Sequence, residues 1–327
     1  MEPPSPHGPP GPDECRISRM LGPLIPIHVL CTLLVGMRVY TRARPVMQLS
    51  RDDAAVTLAL IATTVQLGIS LSAARYGFGR HNFYISAEDQ VKASKLIFLG
   101  QFPSFWAVAL GKIAIAFLLM RLKTGRAWHI FLYSMCAVQV GTATVATVMP
   151  LVRCRPVSVA WQYKTDVQDC WPIHYITIAI YVRSAIGIIS DVIFALIPLT
   201  FLGNIRRSLR ERMLVAFLLG LGVFTAAIVG VKLTFASRYG RAKDSLWDSV
   251  TLVTWSILED EMGIIAGTLP CLKSPFEKML RRVGLLGSSG EHSENSTRSY
   301  ALNALDPRRK LFHRRQPLDS SSQQTLV

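Results

Sequence analysis

Residues 255–275 read WSILEDEMGIIAGTLPCLKSP, and the fold turns on how that run is understood. Glu259, Asp260 and Glu261 stand in a row inside an apolar segment that extends over residues 246–271. A helix rises ~1.5 Å per residue, so about 20 apolar residues cross a hydrocarbon layer of ~30 Å. An acid exposed to lipid on such a helix costs at least ~2.5–3.5 kcal/mol. Acids kept there face a partner, face a water-filled cavity, or carry a proton.

Outward from this run, six more apolar-dominated segments recur, at residues 20–40, 54–74, 96–120, 128–152, 173–202 and 213–236. The chain of 327 residues is 50% hydrophobic and only 17% charged, and a soluble domain would have to be assembled from seven long helices apolar all round. The expected fold class is therefore all-α: a seven-transmembrane-helix bundle with a short C-terminal amphipathic surface helix and a disordered tail. The expected division is a disordered N-terminal tail at 1–19, the bundle at 20–272, the surface helix at 273–284 and a disordered cytosolic tail at 285–327. The N-terminus, MEPPSPHGPPGPDEC, has neither the basic region nor the cleavage site of a secretory signal, so the first membrane helix is expected to serve for targeting. The Ser-rich, basic stretch after Leu285 lacks the apolar residues needed to fold. Between them, Ser274-Pro275-Phe276-Glu277 has the form of a capping box with proline at the first helical position. Phe276, Met279, Leu280 and Val283 then repeat at helical spacing, with Lys278, Arg281 and Arg282 on the other side.

Lys and Arg set the expected orientation. Three short loops carry ten basic residues: Arg42, Arg44, Arg51, Arg121, Lys123, Arg126, Arg206, Arg207, Arg210 and Arg212. The longer opposite loops carry nine: Arg75, Arg80, Lys92, Arg153, Arg155, Lys164, Arg238, Arg241 and Lys243. This bias places the N-terminus outside or in a lumen and the tail in the cytosol, in the plasma membrane or an endomembrane. The net charge of +15 follows from the same asymmetry and from attraction to anionic lipid, so the bilayer is the expected partner and nucleic acid is not. Cys154 and Cys170 flank the outer loop between the fourth and fifth segments, in an oxidising space where a disulfide persists. Cys31, Cys136 and Cys271 read as small apolar fillers and Cys15 as a free outer thiol; no zinc spacing occurs, and no metal is expected.

The candidate intramembrane polar site comprises Lys112, Arg183, Asp191, Lys232, Glu259, Asp260 and Glu261. Counting from the helix ends puts Lys112 and Asp191 at one depth in the inner half. Glu259, Glu261 and Arg183 fall near mid-membrane, with Lys232 nearer the outside. Successive helical residues point about 100° apart, so the three acids cannot share a partner. Glu259 is expected to face the interior, Glu261 to meet a different neighbour, and Asp260 has the weakest claim to a role. Three readings stand side by side: packing pairs that fix helix register, a polar cavity between the third, fifth, sixth and seventh helices, or an ion path. Elsewhere, Asp52 and Asp53 suit the positive end of the second helix, with Ser50 as its cap. The Gly77-Phe78-Gly79-Arg80-His81 stretch reads as a tight turn, with His81 as an outer-site contact.

Several motifs combine in order: Arg51-Asp52-Asp53; Gly77 to His81; Lys112 with Arg121-Leu122; Cys154-Arg155-Pro156 with Trp161 and Cys170; Asp191 with Pro198; and Trp255-Ser256, Glu259, Gly263 to Gly267 and Pro270. With these the chain resembles the fungal rhodopsin-domain membrane proteins, a seven-helix family that includes adhesion-receptor-like proteins and the satratoxin-cluster membrane protein. Asp260-Glu261 departs from that pattern, where apolar or amide residues are usual. The resemblance implies a receptor-like sensor or a membrane component of fungal secondary metabolism. The alternative is a membrane-embedded enzyme of such a pathway, an acid–base cyclase or isomerase. A small apolar ligand or substrate and a cytosolic partner at the tail go with these readings. Retinal attachment requires a lysine in the last helix, and residues 246–271 contain none, so no cofactor is expected.

Overall fold

The computed structural model describes residues 14–44, 49–121, 125–162, 170–202, 209–236 and 244–282. The expected tails at 1–13 and 285–327, Asn295, Leu122, Val283, and the loop residues Lys123, Lys164, Arg206, Arg207, Arg238, Arg241 and Lys243 lie outside them. Among the described residues the chain is all-α: α1 (Ile17–Ala43), α2 (Arg51–Ala74), α3 (Ala87–Met120), α4 (Arg126–Val152), α5 (Ile173–Leu202), α6 (Leu209–Ala236) and α7 (Ser245–Arg282). Each apolar segment read from the sequence coincides with one helix. Five of them are long and apolar enough to cross a membrane: α1, α2, α3, α4 and residues His174–Ile197 of α5. In α6 the described apolar stretch is shorter, Leu219–Thr234, and α7 carries Asp248 and the three consecutive acids.

Boundaries differ where polar residues join the helix. Ile17 already belongs to α1, so the N-terminal segment expected to be a tail at 1–19 gives its last residues to the bundle. Helix α3 starts at Ala87, because the Ser86 hydroxyl accepts from the Asp89 backbone N–H at 3.2 Å and two polar turns follow. At the other end, α7 runs unbroken through Ser274 and Pro275, where the sequence reading expects a separate helix to be capped at Ser274. A proline at a first turn and a proline inside a continuing helix look alike in sequence when the preceding residues also favour helix. The two compact units of the chain divide at this point, Met1–Lys273 and Ser274–Val327.

Within the first unit the packing is that of a bundle in lipid. Large apolar side chains point outward, such as Leu33, Ile130 and Val145, while the interior is rich in alanine and small hydroxyl residues. Buried Thr63, Ser70 and Thr268 return their hydroxyls to the carbonyl four residues back in their own helix, which pairs each of these three hydroxyl hydrogens in an apolar setting. Cys31 and Val35 of α1, Ala55, Val56 and Ala59 of α2, Ile113 and Ala114 of α3 and Ile264 and Ile265 of α7 form one apolar cluster. A second joins the ends of α3 and α4 to Phe194 and Ile197 of α5. Helix α3 thus sits at the centre, and its buried polar residues, Ser104 and Lys112, face other helices. After α2 the chain reverses through Gly77 and Gly79, at φ +91° and +92°, a left-handed conformation that favours glycine, as the tight-turn reading expects.

Candidate functional site

The acidic turn of α7 is wholly inside: Glu259 is 7% exposed, Asp260 1% and Glu261 0%. Each acid meets a different helix, as the 100° step between residues requires. The Glu259 carboxylate lies 2.6 Å from the Lys232 ammonium of α6. Asp260 accepts a hydrogen bond from the Ser104 hydroxyl of α3 at 3.2 Å. Glu261 lies 2.5 Å from His28 Nδ1 on α1, whose Nε2 is 3.2 Å from the Thr64 hydroxyl of α2. Asp260 Oδ1 and Glu261 Oε2 remain buried without a hydrogen-bond partner among the described residues.

About two turns farther along α3, Lys112 places its ammonium 3.0 Å from Asp191, 2.8 Å from the Ser190 hydroxyl and 3.1 Å from the Gly187 carbonyl. Three acceptors on one face of α5 match the three N–H bonds of the ammonium. Asp191 Oδ2 is left unbonded. Between α3, α5, α6 and α7 lies a cavity of about 80 Å³, with Lys112, Asp191 and Glu259 in its wall beside Gly222, Thr225 and Gly263. This is enough for a few waters or one small polar group, against the ~300–1,000 Å³ of a typical ligand pocket. Of the seven candidate residues, Lys112, Asp191 and Glu259 share this cavity, with Lys232 reaching it through Glu259. Arg183 instead lies over the Phe105 ring of α3, 5.3 Å from its centroid. Asp260 and Glu261 turn toward α3 and α1.

A second charge cluster ties α1 to α2 and α7, and its cations are absent from the candidates read from sequence. Arg38, 1% exposed, reaches Asp53 at 2.7 Å, Asp52 at 2.6 Å and the Gly267 carbonyl at 2.5 Å. Arg42 bridges the same two acids at 2.9 and 2.7 Å, and Arg121 lies 3.5 Å from Asp52. Asp53 also accepts from the Ser50 backbone N–H at 3.0 Å, so the expected cap is present, but capping is the lesser part of what these acids do. The signal was there: Arg38 and Arg42 are four residues apart, on one face of α1, and α2 opens with two acids. His28, alone in the middle of an apolar run, was the corresponding signal for Glu261.

At the opposite end His81 stacks on Trp247 at 3.8 Å between ring centroids, with its Nδ1 3.3 Å from Asp244. The Arg16 guanidinium lies 4.2 Å from the same indole. Nearby, Cys154 and Cys170 form the expected disulfide, with Cα atoms 4.2 Å apart.

A family model described as the fungal rhodopsin domain matches residues 37–278. The chain is 27% identical over 146 residues to "Fugralins biosynthesis cluster protein 2" of Gibberella zeae, covering 44% of this chain and 35% of that protein. It is 23% identical over 284 residues to "Polyenoic acids biosynthesis gene cluster protein Ba17b" of Metarhizium anisopliae, covering 82% and 76%. A "SAT4 family membrane protein" of Emericella nidulans is 23% identical over 242 residues, covering 70% and 59%. The match thus spans about a third of the first of these relatives and three quarters of the second. No solved structure matches.

Proposed function

The chain belongs to the fungal rhodopsin domain family, and from that premise we propose that it is a receptor-like membrane sensor acting in fungal secondary metabolism. Two relatives are named for biosynthesis clusters, which supports the setting. The observation that carries the reading is the cavity between α3, α5, α6 and α7, walled by one member of the Lys232–Glu259 pair and both members of the Lys112–Asp191 pair. At about 80 Å³ it is closed to any ligand of ordinary size. A small, largely apolar molecule with one polar group enters only by parting one of these ion pairs. Occupancy is then coupled to the spacing of α5 and α6 against α3 and α7, because a ligand that prefers the parted state shifts the population toward it. The bundle is read as seven crossings, with the N-terminus outside and the C-terminal end of the chain in the cytosol, where a partner would read that shift.

A second reading, a membrane-embedded acid–base enzyme, is favoured by Asp260: a buried carboxyl held by one serine hydroxyl, with its other oxygen unbonded. Deleting the gene and complementing with wild type, Glu259→Gln or Asp260→Asn separates the two. For a sensor, deletion lowers the transcripts of a product cluster together with all its metabolites, and Glu259→Gln fails to restore them. Accumulation of one precursor at unchanged transcript levels, not cleared by Asp260→Asn, would overturn the sensor in favour of the enzyme.

A further inference from the structure

A hollow of about 380 Å³ opens where α2 begins, α3 ends and α4 begins. Its wall carries Ser50 and Arg51 from the start of α2, Arg121 from the end of α3, and His129 and Tyr133 from the first two turns of α4, with Phe117 among its apolar members. We propose that this hollow binds the phosphate of an anionic phospholipid drawn from the leaflet at this end of the bundle.

Charge is the first argument. Residues 38–53 and 117–133 hold seven basic side chains and two acidic ones, Asp52 and Asp53. Both acids are already taken by Arg38 and Arg42. Arg51 has no acid partner among the described residues, and Arg121 reaches Asp52 only at 3.5 Å with its side chain 53% exposed. Among the described residues both guanidiniums thus keep N–H donors for a group with several acceptor oxygens, which is how arginine holds phosphate. The hydroxyls of Ser50 and Tyr133 and the His129 imidazole add further donors, and the first turn of α2 adds the positive end of its dipole.

Position is the second argument. All five polar residues lie at helix ends, at the level of head groups rather than of acyl chains. Leu49 and Tyr133, both in the wall of the hollow, are 49% and 50% exposed, an apolar flank for the chains of the same lipid. The volume lies in the range of a real ligand site and suits a phosphodiester with its glycerol. A soluble anion would use the cationic wall but gain nothing from that flank.

The test uses the full chain in nanodiscs of phosphatidylcholine, alone or doped with phosphatidic acid or a phosphoinositide. Lipid retained after exchange is counted by native mass spectrometry. Anionic lipid should be retained selectively by the wild type, and retention should fall about fivefold for Arg51→Gln and further for Arg51→Gln with His129→Gln. Arg44→Gln removes a basic residue of the same end that does not line the hollow, and it should change retention little. Each variant is compared in pure phosphatidylcholine first; should Arg51→Gln melt early there, His129→Gln and Tyr133→Phe carry the comparison. Equal retention by wild type and the double variant, or an equal loss in Arg44→Gln, means diffuse attraction and overturns the site. Stabilisation by inorganic phosphate in pure phosphatidylcholine discs, matching that by the anionic lipid, overturns the lipid in favour of a free anion.

Discussion

Glu259 and Lys232 are 14% exposed or less and lie 2.6 Å apart, so each stabilises a charge the other helix could not hold alone. Glu259→Gln keeps the shape and leaves the ammonium uncompensated. The expected loss is about 3–5 kcal/mol, because breaking a buried pair strands one charge. Thermal unfolding in detergent measures it, and adding Lys232→Met should restore most of the loss by removing the stranded charge. A midpoint unchanged in Glu259→Gln would mean that the pair contributes nothing. That Glu259 faces inward, and that Lys112 and Asp191 lie at one depth, was legible because a charge in an apolar helix has few places to go. The partners of the other acids were harder to read. Arg38 stands near a helix end, where a basic residue normally reaches water or head groups. His28 carries no fixed charge that obliges it to pair. Only the side-by-side arrangement of α1, α2 and α7 makes them necessary.

Between helices, close approach depends on what is missing. A Cβ built on Gly222 of α6 would stand 2.6 Å from the Ala195 Cβ of α5, closer than two carbons can pack. Gly222→Ala should therefore push α6 from α5 and cost about 1–3 kcal/mol, as overpacking does. Because Gly222 also lines the polar cavity, the same variant should blunt any ligand response, and unfolding and response can be measured on one preparation. If neither moves, α6 is free to shift without consequence. The Cys154–Cys170 bridge spans 16 residues of sequence. Its removal by reductant, or by Cys154→Ser with Cys170→Ser, should lower stability by about 3 kcal/mol on the loop-entropy account. A midpoint indifferent to reductant would contradict that. Helix existence was plain from apolar length, whereas the polar first turns of α3 and the continuation of α7 past Pro275 were not. Apolar windows see only the part of a helix that lipid or core would see.

For the whole chain, the proposed seven crossings would put the two ends on opposite faces of the membrane, and the charge of the loops is the ground for proposing a cytosolic C-terminal end. Asn295-Ser296-Thr297 is the glycosylation sequon of the sequence, and it should stay unmodified in cells. A glycosidase-sensitive mass shift mapped to Asn295 would reverse the orientation. The order of the seven α-helices among the described residues could be read from sequence because each carries its own apolar segment, although only five of them meet the length rule for a crossing. The sense of the bundle is proposed from the charge bias of the loops. One consequence belongs to α7. A single turn of it meshes with α6, α3 and α1 at once, and farther along the Gly267 carbonyl is clasped by Arg38. One added residue between Glu261 and Gly267 would swing the second contact by about 100° and slide it ~1.5 Å while leaving the first in place. The helix therefore works like a key cut on two sides: loops around it can lengthen over evolutionary time, but its own count of residues cannot drift.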